Sequence, residues 1–283
     1  MTPLAHLRAA VGLVVISLNL GFWVVLALPL ALAKLLWPGG RGAIERAMGG
    51  IYRAALWIDD LWLGRVVGIR WPRPALGLAK DRTYVVLSNH VSWSDIFVIQ
   101  SIVVRDGPLL KFLAKRELLR VPIVGAIIWA FDFPVLRRQA KAGGDEAARR
   151  TRDLETLRAA ADVLRDHPAA VMNFAEGTRS TEAKRVEQES PYAHLLIPRV
   201  GGFATLIEGL GEELEAVVDL TLVYPRPVSF WALLAGAVRE IGVDAEVVPR
   251  ARLPRGREDT IDWLLARWAR KDAILAGAQS ARD

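Results

Sequence analysis

The sequence predicts an α/β fold: a mixed, largely parallel sheet flanked by helices, with an N-terminal apolar membrane helix or two-helix membrane element. After about residue 83, short apolar runs of strand length alternate with longer amphipathic segments, as in buried strands covered by helices. Before that point, the run from Ala9 to Ala33 carries no charge and is long enough to cross a bilayer core. We expect a membrane-anchoring segment over residues 1–75 and a second domain over 76–283.

The N-terminal apolar run admits three interpretations: one span, a bent or re-entrant helix pair, or a signal peptide. Asn19 and Pro29 inside the run are compatible with a bend. A signal peptide is the weaker alternative, because the run is longer than the roughly 7–15 residues of a signal core. Basic residues concentrate after the run, which predicts that its C-terminal side is cytoplasmic. They include Lys34, Arg41, Arg46 and Arg53.

The later elements are predicted from local patterns. The Pro- and Gly-rich turn at 37–42 ends the first segment. Residues 43–68 follow a helical apolar spacing, which predicts an amphipathic helix against the first segment or in the membrane interface. Strands are predicted at 83–89, 169–176 and 216–224, and helices at 143–167 and 258–277. The apolar stretch 229–238 is too short to span, so it is interpreted as a core helix or a membrane-dipping patch.

Charge and composition indicate which classes of ligand and site this protein can have. The net charge is +6 with a sequence pI near 9.9, which suits nucleic acid, an anionic membrane or a phosphorylated substrate. Ten tryptophans favour the membrane surface, and no basic helix interleaved with aromatic residues points to nucleic acid. The chain has no cysteine, which excludes disulfides and thiolate metal sites. No histidine pair has metalloprotease spacing, so no metal is expected.

A polar group of residues follows the first predicted strand. His90 and Asp95 are five residues apart, between two apolar runs. The end of the strand brings His90 to the sheet edge where ligand sites of α/β folds gather, and Ser92 or Ser94 is a plausible cap for the next helix. Asp95 can fix the tautomer of His90 and leave the other ring nitrogen as a general base. The alternative is a structural histidine in a capping turn, with Asp95 serving the helix N-terminus.

A second polar turn follows the predicted strand at 169–176. It consists of Glu176, Gly177, Thr178, Arg179 and Ser180. Glycine lets the backbone approach a ligand, and a guanidinium suits phosphate. The alternative is a purely structural turn. One strand end offers a base and the other an anion-binding turn. Together they support a functional site better than either does alone.

These two turns resemble motifs of the glycerolipid acyltransferases, the 1-acylglycerol-3-phosphate acyltransferase family. The sequence NHVSWSD is similar to the family's N-H-x-x-x-x-D motif, and FAEGTRS to its F-P-E-G-T-R-S motif. Residues 112–138 resemble the segment that carries the second motif, and LLIPRVGGFATL is similar to the fourth. The resemblance covers roughly residues 83–225. The C-terminal part is similar to the branch that includes lysocardiolipin and lysophosphatidylinositol acyltransferases.

The resemblance implies acyl transfer from acyl-CoA or acyl carrier protein to the free hydroxyl of a lysophospholipid at a bilayer. His90 would be the base and Asp95 would orient it, while residues 176–179 would hold the glycerol phosphate, with Arg137 and Lys115 as further phosphate-binding candidates. No cofactor is implied beyond the activated donor. We expect the catalytic domain on the cytoplasmic side of a bacterial-type inner membrane or its equivalent.

The chain departs from the family at Ala175, where the family usually has proline. Alanine relaxes the entrance to the turn, so we expect at most an altered acceptor preference. The acceptor is expected to be 1-acylglycerol-3-phosphate, and another lysophospholipid is the alternative. A serine lipid hydrolase and a noncatalytic lipid-binding protein are more remote alternatives.

Overall fold

A five-stranded mixed sheet forms the centre of the protein in the computed structural model. The structure describes residues 2–112, 114–133, 135–136, 155, 163–165 and 167–281. The sheet has the order β2-β5-β1-β6-β7, and only β7 is antiparallel to its neighbour. Its strands are β1 (Thr83–Ser88), β2 (Leu110–Phe112), β5 (Ala170–Phe174), β6 (Leu214–Val223) and β7 (Gly242–Pro249). A small parallel pair lies beside it, formed by β3 (Ala114–Lys115) and β4 (Val135–Leu136). The predicted fold class and all three predicted strands are confirmed.

Helices cover both faces of this sheet in the described part of the chain. They are α1 (Pro3–Leu36), α2 (Arg41–Leu61), α3 (Asp95–Asp106), α4 (Pro122–Ala130), α5 (Glu182–Glu187), α6 (Val200–Leu210), α7 (Phe230–Leu234) and α8 (Arg257–Ser280). The α2 helix continues as a π-helical turn over Trp62–Val67. The predicted helix at 143–167 lies largely outside the described residues. The stretch 229–238 contains the short α7, whose Leu233 and Leu234 are buried in the core.

The sheet is buried on both faces because β1 carries apolar residues at successive positions. Tyr84 and Val86 point into one hydrophobic cluster, and Val85 and Leu87 point into the other. Successive side chains of a strand face opposite sides, and strands buried on both sides have a continuous apolar sequence. The second cluster also contains Trp268 of α8, so this C-terminal helix closes that face.

The apolar α1 helix packs lengthwise against the rest of the protein. It runs through Pro29 without ending, so the break that this residue allowed does not occur. Its buried residues recur at helical spacing: Ala9, Gly12, Ile16, Asn19, Ala27, Ala31 and Lys34. The remaining faces are apolar and largely exposed, and the helix is long and apolar enough to cross a membrane.

Polar contacts fix α1 on its neighbours. The Asn19 amide donates to the Ala55 carbonyl at 2.9 Å and to Asp59 Oδ1 at 2.9 Å, both on α2. Near the C-terminal end of α1, Lys34 forms an ion pair with Asp132. The Asn19 contacts thus join α1 to α2, and the Lys34–Asp132 pair joins α1 to the part of the chain that follows residue 76.

A buried ion pair joins α8 to the sheet. The Lys271 ammonium is paired with Asp219 on β6 and also donates to the Leu220 carbonyl at 2.6 Å. The side chains are 2% and 4% exposed, so neither charge has water to replace its partner. Breaking such a pair by removing one member typically costs about 3–5 kcal/mol.

We predict that Lys271→Ala lowers the free energy of unfolding by about 3–5 kcal/mol, because Asp219 would remain buried with only the more distant Arg267 guanidinium, 3.8 Å away, as a cationic neighbour. Urea denaturation in a mild detergent measures the change. The double variant Lys271→Met/Asp219→Leu replaces both charges with apolar groups and should recover most of the loss. A loss below about 1 kcal/mol for the single variant would contradict the prediction.

Candidate functional site

The parallel register of β1 and β5 brings the two polar turns together. Ser88, the last residue of β1, lies opposite Phe174, the last residue of β5. His90, which follows β1, therefore lies beside the residues that follow β5. The Ser180 amide donates to the His90 carbonyl at 2.6 Å and joins the two turns directly. The two polar turns that the sequence analysis singled out therefore meet at one edge of the sheet.

Asn89 holds the first turn onto the sheet. Its side chain is fully buried. The amide nitrogen donates to the Leu222 carbonyl at 3.0 Å, and its oxygen accepts from the Leu222 amide at 2.9 Å. Through its side chain, Asn89 continues the hydrogen bonding between β1 and β6 beyond the end of β1. These bonds fix the backbone from which His90 projects.

His90 and Asp95 form a hydrogen-bonded pair. Nδ1 of His90 lies 2.8 Å from Asp95 Oδ2, while the His90 side chain is 14% exposed and that of Asp95 is fully buried. The ring also stacks on Phe174, with centroids 3.9 Å apart and planes 16° apart. Asp95 can therefore fix the ring with its Nε2 atom free, because Nε2 has no partner among the described residues. This is the geometry that a general base requires.

The Asp95 carboxylate gathers donors from two parts of the chain. Oδ2 also accepts from the amides of Val91 and Ser92, at 2.7 and 3.0 Å. Oδ1 accepts from the hydroxyl of Tyr224 at 2.7 Å. Hydrogen bonds to a buried carboxylate stabilise its charged form.

The serines of this turn do not have the predicted capping role. Ser94 occupies the N-cap position of α3, but its side chain makes no capping hydrogen bond. Asp95, in the first turn of α3, binds the free amides of the preceding loop instead. Ser92 and Ser94 are 2% and 0% exposed, so neither hydroxyl is presented to a substrate.

The second turn is shaped by glycine. Gly177 has φ of +67°, a conformation that other residues adopt at a cost. A β-carbon at this position would lie 2.5 Å from Nε of Arg199. Gly177 therefore permits both the left-handed turn and the close approach of the Arg199 side chain.

Three cations surround this turn without an acidic partner among the described residues. Exposed Arg179 lies over the indole ring of Trp93, 5.3 Å from its centroid. Lys184 donates to the Thr178 hydroxyl at 2.7 Å and to the Arg179 carbonyl at 3.0 Å. Arg199, also exposed, lies against Gly177. The turn is thus a positively charged surface beside the His90 ring.

Glu176 does not join this exposed surface. It is 1% exposed, and neither carboxyl oxygen has a hydrogen-bond partner of normal geometry among the described residues. Burial raises the pKa of the Glu176 carboxyl to about 8, and the charge of Asp95 adds to the shift. The backbone of His90 and two lysines oppose it to a lesser degree. The contact of Glu176 with substrate phosphate stays a prediction, and the buried position of the carboxyl in this structure does not support it.

The two remaining predicted site residues cannot be compared with this site. Lys115 belongs to β3, but its side chain lies outside the described part of the structure. Arg137 lies outside the described residues altogether.

Tyr224 and Arg199 are parts of the site that sequence reasoning missed. Tyr224 ends the predicted strand at 216–224, and nothing in its local pattern distinguishes it from a core aromatic residue. Burial, and then the charge of Asp95, raises the pKa of the Tyr224 phenol well above its ordinary value, so it remains a donor. Arg199 stands inside the LLIPRVGGFATL stretch, where a charge in an apolar run was the available signal.

We predict that Glu176→Gln stabilises the protein increasingly as pH rises from about 5 to 8. Because the pKa of Glu176 is raised in the folded state, the unfolded chain releases this proton at a lower pH. Above the ordinary pKa of glutamate, loss of the proton therefore favours the unfolded state of the wild-type protein, and glutamine removes this effect. The difference in free energy of unfolding between the variant and the wild type should grow by at most about 1.4 kcal/mol per pH unit in that window. Urea denaturation at pH 5, 6.5 and 8 measures it. The matched variant Glu187→Gln, at an exposed position of α5, should show no such trend, and an identical trend in both would contradict the assignment.

Comparisons with known proteins show the family of this chain. A family model described as Acyltransferase matches residues 74–215. The chain is 25% identical over 236 residues to 1-acyl-sn-glycerol-3-phosphate acyltransferase 2 of Brassica oleracea, covering 78% of this chain and 58% of the relative. It is 29% identical over 204 residues to the gamma form of the mouse enzyme, Mus musculus, covering 67% of this chain and 52% of the relative. The chain thus spans little more than half the length of these curated relatives.

A solved structure shares the fold. The 1-acyl-sn-glycerophosphate acyltransferase PlsC of Thermotoga maritima aligns with a TM-score of 0.57 over 97% of this chain and 98% of that chain, at 16% sequence identity. At this identity the likeness concerns the fold. Because the family model extends from before β1 to the start of β6 and includes both polar turns, the chain belongs to the acyltransferase family.

Proposed function

We propose that the protein transfers a fatty acyl group from acyl-CoA or acyl carrier protein to the free hydroxyl of 1-acylglycerol-3-phosphate, giving phosphatidic acid. The observation that carries the proposal is the His90–Asp95 pair, with Nε2 open, beside a turn bearing three cations. A base next to an anion-binding surface suits an acceptor that contains both a hydroxyl and a phosphate. The curated relatives are named for this reaction.

The chemical step uses His90 twice. Nε2 removes the proton from the acceptor hydroxyl as its oxygen forms a bond to the thioester carbonyl carbon. The tetrahedral intermediate then breaks its C–S bond, and the imidazolium returns the proton to the departing thiolate. Asp95 stabilises the imidazolium between these events. The products are an ester and a free thiol, and no further reactant is required.

Backbone amides of the second turn are the donors proposed for the intermediate. The amides of Thr178 and Arg179 have no acceptor in the described part of the chain, whereas the Gly177 amide binds the Phe174 carbonyl at 2.9 Å. Donors that are already oriented stabilise developing negative charge without reorganisation. The guanidinium groups of Arg179 and Arg199 and the Lys184 ammonium would hold the phosphate of the acceptor, since charge-assisted bonds to phosphate are the strong ones.

The bilayer is the proposed source of the acceptor. Large apolar side chains are exposed along α1, including Leu4, Leu18, Phe22 and Leu36. Since the opposite face of α1 is packed on the protein, the exposed face is the one that would enter lipid. We propose that this face holds the catalytic domain on the cytoplasmic leaflet, where the thioester donor is available.

A serine hydrolase is the weaker alternative. The two serines near His90 are buried, and Ser92 Oγ lies 3.4 Å from the Ser94 amide. Direct attack by the acceptor oxygen requires no serine.

We predict that His90→Ala lowers kcat for acyl transfer by about 10²–10⁴-fold, the usual contribution of a general base. The assay uses purified protein in detergent, a labelled acyl thioester, and a panel of lysolipids that includes lysophosphatidic acid and lysophosphatidylglycerol. His194→Ala, at a half-buried histidine distant from the pair in sequence, serves as the control and should retain activity. Ser92→Ala should keep most of the activity, and a trapped serine ester would overturn the scheme.

We predict that Tyr224→Phe lowers kcat by about tenfold while KM changes little. The phenol binds Asp95 and not the substrate, and a hydrogen bond to a charged group contributes about 1.5–3 kcal/mol. Steady-state kinetics with lysophosphatidic acid separates the two parameters, and Tyr192→Phe is the control. A rise in KM with unchanged kcat would mean that Tyr224 acts on substrate binding instead of on the pair.

A further inference from the structure

A second cleft lies at the edge of the sheet opposite to His90. Its volume is about 690 Å³, and it is lined by residues that precede β1, β2 and β5, together with α2 and the end of α1. We call it the amino-end cleft, because parallel strands β1, β2 and β5 begin there. Five of its lining residues are cations: Lys34, Arg46, Arg53, Lys80 and Lys111. The catalytic turns lie at the carboxyl ends of the same strands and contribute none of these residues.

The acidic residues of the cleft are outnumbered, and two of the three are already neutralised. Asp132 is paired with Lys34. Glu45 accepts from Arg41 Nε at 2.9 Å and lies 3.3 Å from Nδ1 of His167. Asp81 is the third acid. A net positive charge therefore remains in the cleft.

Four of the cations have no carboxylate partner at salt-bridge distance in the described structure, and one of these, Arg53, donates to the carbonyls of Val104 and Gly107. Arg46 and Lys80 form no ion pair there, and Lys111 has only a carbonyl contact, with Asp132 at 3.2 Å. Lys111 is 4% exposed. Burial lowers the pKa of Lys111 to about 8, an effect that Lys34 reinforces and Asp132 and Glu45 oppose. A buried ammonium with unused donors would be stabilised by an anion beside it.

Two consecutive glycines keep space open in the cleft wall. Gly49 and Gly50 lie inside α2, and a β-carbon at either position would meet no atom within 4 Å. Glycine inside a helix costs about 1 kcal/mol relative to alanine. Close packing therefore does not require these glycines, and their missing side chains leave the cleft wall open.

The cleft is poorly suited to a metal ion. Ligand atoms of Glu45, Asp132 and His167 lie within 4.8 Å of one another. However, Arg41 Nη2 lies 2.5 Å from Nε2 of His167, and Lys34 is paired with Asp132. Cations thus already occupy the positions from which an ion would be bound.

We propose that the amino-end cleft binds a phosphate-bearing anion at a site separate from the catalytic one. Lys111, Arg46 and Lys80 supply its charge, and Gly49 and Gly50 make room for it. Exposed Leu36 and Trp37, at the end of α1 beside the cleft, place apolar surface next to it. An anionic lipid headgroup and a free phosphate share the required chemistry, so the test must distinguish these two sources.

The experiment uses the whole 283-residue chain in an uncharged detergent, with His90→Ala and Arg179→Ala, which remove the proposed base and one of the three cations beside it. Isothermal titration calorimetry is carried out with inorganic phosphate, with dihexanoyl phosphatidylglycerol and with dihexanoyl phosphatidylcholine. We expect a saturable site for at least one of the two anionic probes and none for phosphatidylcholine. Binding of phosphatidylglycerol alone identifies a lipid headgroup, and binding of inorganic phosphate of similar strength identifies a free phosphate.

The cleft variants decide whether this is the site. Lys111→Met and Gly50→Leu, each on that background, should weaken the binding at least tenfold, whereas Gly50→Ala should preserve it. On a background with His90 and Arg179 intact, the same three variants should remain folded and retain acyl transfer to lysophosphatidic acid, which separates this inference from the proposed function. Absence of saturable anion binding, or less than twofold weakening by both Lys111→Met and Gly50→Leu, would overturn the proposal.

Discussion

The pairing of β1 with β5 is the constraint on which the site depends. Because Ser88 lies opposite Phe174, the residues after each strand start from the same level of the sheet. The His90 ring can then stack on Phe174, and the Ser180 amide can reach the His90 carbonyl. A shift of the register by one residue would move each β1 side chain into the hydrophobic cluster of the opposite face and would separate His90 from the cationic turn. The β1 side chains pack into a different cluster on each face, so the packing of the core determines the geometry of the site.

Three buried carboxyl groups, Asp95, Asp219 and Glu176, differ in how the protein stabilises them. Asp95 is stabilised by donors from its own loop and from Tyr224. Asp219 is balanced by Lys271, which α8 carries into the sheet. Glu176 has neither type of partner and responds with a raised pKa. The charge beside the His90 ring is therefore concentrated in Asp95 on one side and in the exposed cations on the other.

The sequence was sufficient for features that depend on local pattern. Continuous apolar runs identified β1, β5 and β6, and the spacing of His90 and Asp95 identified their pairing. Features that depend on distant parts of the chain were not predictable. The Tyr224 phenol reaches Asp95 across 129 positions of sequence, and Glu176 is buried by packing that its turn-like neighbours do not reveal. Ser94 resembled a cap, and it occupies the N-cap position, but its hydroxyl makes no capping bond.

The lengthwise attachment of α1 has a consequence for the proposed insertion of this helix into a bilayer. An unattached apolar helix adjusts to bilayers of different thickness by changing its tilt. Here Asn19 is bound to α2 and Lys34 to Asp132, so the orientation of α1 is fixed relative to the sheet. The helix and the catalytic edge must then move as one body, and hydrophobic mismatch would be relieved by deformation of the surrounding lipid.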